Sequence, residues 1–259
     1  MAQERQEVHP VHPVHPVHPV HPVHQVHQVH QLHALHQHGS CRAQWQNRSI
    51  IANRHPPVLP TSAPQPPGPL PTTPYGQALA EHRALFATLD SLQGAVERIG
   101  RHLGAVLADG GKILFCGNGG SAADSQHLAA ELTGRFVDDR RPLAAVALST
   151  DSSALTCIGN DYGFDHVFER QVRALGRRGD ALVLISTSGR SANLLRAAEA
   201  AHAAGVAAIG LLGRDGGPLK ALCDDVVVVS GASTARIQEA HIFIGHCWCG
   251  IAEAALGLA

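Results

Sequence analysis

The sequence predicts one α/β domain over residues 76–259, built on a five-stranded parallel sheet with helices on both faces, preceded by a disordered extension over residues 1–75. Three observations predict it. Short apolar runs alternate with helical stretches along the second part of the chain, as in parallel sheets buried on both faces. The first of those runs leads directly into a glycine turn and a helix. With 259 residues and 44% hydrophobic composition, the chain can bury one sizeable core and still leave residues over.

The extension is a tripeptide repeat. Val8-His9-Pro10 recurs as far as Val20-His21-Pro22, then decays to Val-His-Gln and Leu-His-Ala up to about residue 38. Proline at every third position removes backbone donors and turns its neighbours away from helix, so an extended, polyproline-like segment without a core is expected. Twelve of the 19 histidines fall within residues 1–55, which raises metal scavenging as an alternative to a low-complexity extension without function. Residues 56–74, with Pro56-Pro57, Pro66-Pro67 and five further prolines, read as a stiff linker. No catalytic residue is expected before residue 75.

From Tyr75 the pattern becomes globular. Leu79, Leu85, Phe86, Leu89, Leu92, Val96, Ile99, Leu103 and Leu107 recur at helical spacing, predicting one long amphipathic helix that stops near Asp109-Gly110-Gly111. Strands are predicted over residues 113–116, 143–148, 181–185, 207–212 and 226–229, with helices between them and a final long helix over residues 237–258.

Composition limits the partners. A net charge of −1 argues against nucleic acid, because phosphate-backbone binding needs a concentrated basic surface. Six cysteines in no paired framework, with Cys116 inside a buried strand, read as reduced cytoplasmic thiols. Cys247-Trp248-Cys249 resembles a metal motif only superficially; on a helix the two thiols diverge, and they read as core residues. With no run of about 18 apolar residues and no apolar leader, neither membrane insertion nor secretion is expected.

Ligands of such sheets bind where strand ends meet helix starts, and two loops stand there. Loop one, Gly117-Asn118-Gly119-Gly120-Ser121, lets backbone approach a ligand and offers free N–H groups. It matches neither a dinucleotide fingerprint nor a Walker A loop, and taken alone it reads as turn chemistry. Loop two, Ser186-Thr187-Ser188-Gly189-Arg190-Ser191, places four hydroxyls around a glycine at a helix start. Capping would use one of them, so the set reads as a phosphate cradle.

His127 and Glu131 lie one turn apart on the helix after loop one and can hold one ion. Alone, this is a surface pair. The second group, Gln238, His241 and His246 in an otherwise apolar final helix, shifts the reading to a metal site. Gln238 and His246 are roughly 12 Å apart along a continuous helix, so sharing one ion requires Gln238 at the helix entrance or a neighbouring subunit. His241 reads as packed or supporting.

These residues resemble a known family. Gly117-Asn118-Gly119-Gly120-Ser121-Ala122-Ala123-Asp124, Glu131-Leu132-Thr133-Gly134-Arg135, Gly159-Asn160-Asp161-Tyr162-Gly163, Ser186-Thr187-Ser188-Gly189 and Arg236-Ile237-Gln238-Glu239-Ala240-His241 are similar, in order and spacing, to the phosphoheptose isomerases of the sugar isomerase (SIS) class. The resemblance runs from about residue 76 to the end. It implies a single SIS domain, a flavodoxin-like three-layer sandwich, that converts sedoheptulose 7-phosphate to D-glycero-D-manno-heptose 7-phosphate for ADP-heptose and lipopolysaccharide synthesis. By the same resemblance, Ser186, Thr187, Ser188 and Ser191 hold phosphate, while Asn118, Gly119, Gly120, Ser121, Asn160 and Asp161 contact the sugar. His127, Glu131, Gln238 and His246 bind one zinc per subunit, with Glu131 and Gln238 also facing substrate, in a homotetramer with sites at subunit interfaces. Ketose–aldose isomerisation needs a base and an acid, for which Glu131 and His246 are the natural choices. A related SIS protein is a non-enzymatic tetramer that binds the bacterial replication initiator; the complete set of four ligands favours an enzyme. A sugar-sensing regulator would need a DNA-binding domain, and a relative acting on another sugar phosphate remains open.

Overall fold

The computed structural model describes residues 73–258. The reading of residues 1–72 as a coreless extension lies outside the described residues.

Thr73 caps α1 (Pro74–Phe86): its side chain accepts from the Gly76 N–H, and Pro74 occupies the first turn, where its missing N–H costs nothing. The long helix predicted over residues 79–107 is broken. The Thr88 hydroxyl and N–H both donate to the Leu85 carbonyl, which a continuing helix would offer to Leu89. The chain then makes a 3-10 turn, Leu89–Leu92, before α2 (Gln93–Ala108). The apolar spacing survives the break because both pieces pack on the same core.

The sheet comprises β1 (Ile113–Gly117), β2 (Ala145–Ala147), β3 (Ala181–Ser186), β4 (Ala207–Gly213) and β5 (Asp225–Val229). All its pairings are parallel, in the order β2-β1-β3-β4-β5. Phe115 lies opposite Val183, and Val183 opposite Ile209, so alternation stays in phase across the centre. The helices are α3 (Gly120–Thr133), α4 (Ser152–Tyr162), α5 (Val167–Leu175), α6 (Ala192–Ala204) and α7 (Thr234–Ala255). Strand β2 is shorter than the predicted residues 143–148, because the Leu143 N–H bonds the Leu132 carbonyl at the end of α3 instead.

Two apolar layers flank the sheet. Ile113, Phe115, Val183, Ile185 and Ile209 point into a core with Ile99 of α2, Leu128 of α3, and Ile237 and Trp248 of α7. Leu114, Cys116, Leu182 and Leu184 point the other way, against Ile158 of α4, Phe168 of α5 and Leu194 of α6. Trp248 also donates from Nε1 to the Val96 carbonyl at 3.1 Å, satisfying its one polar group while tying α7 to α2. The expected α/β three-layer sandwich is therefore present. The chain leaves β1 outward to β2 and returns across it to β3, so loops one and two open side by side at the switch point of the sheet.

Candidate functional site

Loop one begins where β1 ends. Gly119 takes φ +57°, a left-handed conformation that glycine adopts without strain, and α3 starts at the next residue. A Cβ at Gly120 would overlap the end of the Gln238 side chain, so the missing side chain lets the Gln238 amide sit directly against the start of α3. Asn118 and Asn193, the second residue of α6, exchange amide hydrogen bonds at 2.9 Å in both directions. Asn193 is 3% exposed, and sequence reasoning missed it. Its only sequence signal is a polar residue at the start of a helix, which ordinary capping would explain. The reciprocal pair locks loop one to the helix that carries loop two.

Loop two is a cradle in which capping leaves hydroxyls free. Ser186 Oγ accepts from the Gly189 N–H at 2.9 Å, closing the turn. Ser191 stands at the N-cap of α6 but makes no side-chain cap bond, and Thr187 and Ser188 are half-buried. Gly189 has φ +63°, and a Cβ there would collide with the Gly216 carbonyl. The glycine loop after β4, Gly213 to Gly217, thus buttresses the cradle from behind. A side chain at Gly217 would likewise meet the Ser188 and Gly189 carbonyls at 2.6 and 2.7 Å.

The third group stands between α3 and α7. His127 Nε2 lies 3.1 Å from Glu131 Oε1, as i,i+4 spacing dictates, and 2.8 Å from His246 Nε2. One ligand atom from each of these three residues falls within 4.8 Å of the others. Phe136 stacks on the His246 ring at 5.5 Å, holding its plane. His127 is exposed and the other two are half-buried, so the cluster opens to solvent on the His127 side. Gly245 lets the helices close here, since any side chain would press into Leu128.

Gln238 lies on the second turn of α7, at the helix entrance, against Gly120. Beneath it Asp124 is 8% exposed, with Oδ2 buried and unpartnered. Burial raises the Asp124 pKa, while the Gln238 amide and the nearby His127 pull it down. Asp124 and Gln238 thus stand beside the start of α3, near His127 and Gly120, while the Asn118–Asn193 pair joins loop one to the start of α6.

His241 is fully buried, and neither ring nitrogen has a hydrogen-bond partner. Burial lowers its pKa to about 4. It is a packed neutral imidazole, as expected. Cys249 is buried, but Cys247 is only half-buried and lines a groove with Phe243 and Val96, so the expectation of two core thiols holds for one of them. The five cysteines among the described residues are all free. Asn160 and Asp161 stand exposed at the end of α4, where Asn160 Nδ2 donates to Asp161 Oδ1 at 2.8 Å. Helix α4 packs on the opposite face of the sheet from α3 and α7, so this chain does not gather them into the His127 cluster.

The donor set suits a borderline metal: two imidazole nitrogens and a carboxylate oxygen converge, with an amide nearby. The same groups can move protons, because a carboxylate and an imidazole face one point in space. Among the described residues no helix is long and apolar enough to cross a membrane.

Comparison with known proteins places this geometry. The SIS domain family matches residues 79–213. A phosphoheptose isomerase of Rhodospirillum rubrum is 53% identical over 171 residues, covering 66% of this chain and 91% of the relative. The solved phosphoheptose isomerase of Neisseria gonorrhoeae superposes with a TM-score of 0.66 at 49% identity, covering 70% of this chain and 97% of the other. That of Francisella tularensis does so with a TM-score of 0.67 at 37% identity, covering 70% and 96%. The matched span holds the glycine loop, the hydroxyl cradle and the His127–Glu131 pair, and the chain belongs to the SIS-domain family, among its phosphoheptose isomerases.

Proposed function

We propose that this protein isomerises sedoheptulose 7-phosphate to D-glycero-D-manno-heptose 7-phosphate through an enediol. The observation that carries the reading is the convergence of Glu131 and His246, from helices far apart in sequence, on one point. Loop two anchors the phosphate through Ser186, Thr187, Ser188, Ser191 and the N–H groups at the start of α6. Asn118, Gly119, Gly120 and Ser121 face the sugar hydroxyls, with Asn160 and Asp161 supplied across a subunit boundary.

In the forward direction Glu131 takes a proton from C1 of the ketose through the oxygen that does not face His127. His246 donates a proton to O2 through the ring nitrogen that does not face His127, giving the enediol. Glu131 then returns its proton to C2 while His246 removes the proton from O1, leaving the aldehyde at C1 and the enzyme unchanged. His127, Glu131, Gln238 and His246 would hold one zinc, which when bound supplies Lewis acidity toward the sugar oxygens or orients them. His127, already in contact with both other groups, fixes their relative orientation.

The same reading makes the protein a cytoplasmic homotetramer supplying ADP-heptose for lipopolysaccharide. Exposed Tyr162 and Phe164 beside Asn160 and Asp161, and exposed Phe243 on α7, support assembly at those faces. Residues 76–259 form the catalytic unit, so a chain starting near Thr73 should retain turnover within a few-fold. The direct test is incubation of purified protein with sedoheptulose 7-phosphate, with and without a chelator. Conversion that the chelator abolishes and zinc restores is expected. A stable tetramer inactive on every heptose and hexose phosphate would instead favour the initiator-binding reading.

A further inference from the structure

The loop after α3 carries a side chain that no part of the site uses directly. The Arg140 side chain is 2% exposed, and that of its ion-pair partner Glu253 on α7 is 3% exposed. Glu253 Oε1 accepts from Arg140 Nε at 2.7 Å and lies 2.6 Å from Nη2. The other guanidinium donors point at backbone: Nη2 to the Glu131 carbonyl at 2.8 Å, and Nη1 to the carbonyls of Leu132 at 2.8 Å, Gly134 at 2.9 Å and Arg141 at 3.1 Å. Helix α3 ends at Thr133, so Glu131 and Leu132 belong to the last turn, where carbonyls lack partners within the helix. A buried cation at that end also opposes the negative pole of the helix.

We infer that the Arg140–Glu253 pair is a positioning device for the reacting cluster, setting the separation of α3, which carries His127 and Glu131, from α7, which carries His246. Glu253 is seven residues from His246, two helical turns, so both face α3 on one stripe of α7. On α3 the clamp grips the backbone of Glu131 itself. Cys249, buried on the same helix between His246 and Glu253, packs with Leu132 of α3 in the space between clamp and cluster. A buried ion pair is a poor way to gain stability, because desolvation offsets the attraction, whereas its directional bonds specify one arrangement of the helices. Lysine cannot substitute, since a single ammonium cannot reach a carboxylate and four carbonyls with a fixed fork.

The inference rests on reading His127, Glu131 and His246 as the metal and proton-transfer cluster. Its test measures zinc affinity of the purified chain by competition with a chromophoric chelator, beside the thermal midpoint of the metal-free form and the split between kcat and KM. Arg140→Lys is expected to weaken zinc binding by about tenfold and to lower kcat by a similar factor. KM for the sugar phosphate should stay within about twofold, because loop two is untouched. A variant that melts lower yet binds zinc and turns over like the wild type would reduce Arg140 to a stabilising residue and overturn the inference. If Arg140→Lys does not fold, Glu253→Gln is measured in the same way, and the same two outcomes support or overturn the inference. His127→Ala is the reference: if it too binds zinc as the wild type does, the cluster reading has failed, independently of Arg140.

Discussion

The Nε2 atoms of His127 and His246 lie 2.8 Å apart although 119 residues separate them in the chain. Two neutral imidazoles can meet so closely only if one donates a proton to the other, or if both turn lone pairs toward a shared cation. Glu131 Oε1, 3.1 Å from the same His127 nitrogen, adds a negative charge that favours the second arrangement. The purified protein should therefore carry about one divalent metal per chain, lost on dialysis against chelator and restored by zinc. Elemental analysis of fully active protein that finds no metal would refute this.

The acid–base assignment predicts the kinetics of two variants. Glu131→Gln and His246→Gln should each lower kcat by at least about 10²-fold, with folding intact, because both replacements keep size and hydrogen-bonding capacity. In the double variant the losses should not add, since both groups serve one proton-transfer sequence. Near-normal turnover in either single variant would remove that residue from its role.

The cradle makes a separate prediction on binding. Ser188→Ala or Thr187→Val should raise KM for the sugar phosphate roughly tenfold, the worth of one charge-assisted hydrogen bond at about 1.5–3 kcal/mol. Gly189→Ala should raise it further, because φ +63° and the Gly216 carbonyl leave no room for a methyl group. An unchanged KM in all three variants would mean that phosphate binds elsewhere.

His241 sets a pH dependence of stability. Its pKa is held at about 4 in the fold and returns to about 6.5 on unfolding, so between these values the unfolded chain binds the extra proton. Its contribution is complete above pH 6.5 and is lost as pH falls toward 4, by roughly 3 kcal/mol in all. His241→Leu removes that dependence, so the difference in urea stability between wild type and variant should move in the variant's favour as pH drops from 7 to 4. Parallel pH curves for the two metal-free proteins would contradict it.

Several features of the fold and site were legible in local sequence. The unbroken apolar run at residues 113–116 forms the buried strand β1, because a strand covered on both faces needs no polar alternation. The four hydroxyls of loop two exceed what capping needs, and in the structure Ser191 makes no side-chain bond to the start of α6. The His127–Glu131 contact followed from helical spacing alone. The break after Phe86 did not, since the apolar spacing runs through it while the Thr88 hydroxyl takes the carbonyl that the helix needed.

Local sequence settled the alternation of strands and helices, the two loops that follow β1 and β3 and the identity of the chemical groups, because periodicity, glycine turns and i,i+4 pairs act within a few residues. Tertiary structure alone decided that α7 brings His246 to His127, that Gly120 admits Gln238, that Asn193 secures Asn118, and that Arg140 grips the end of α3 against Glu253. Each of these contacts joins residues from separate elements. Their partners are chosen by the close packing of helix faces on one sheet, a property of the whole core that no short window of sequence contains.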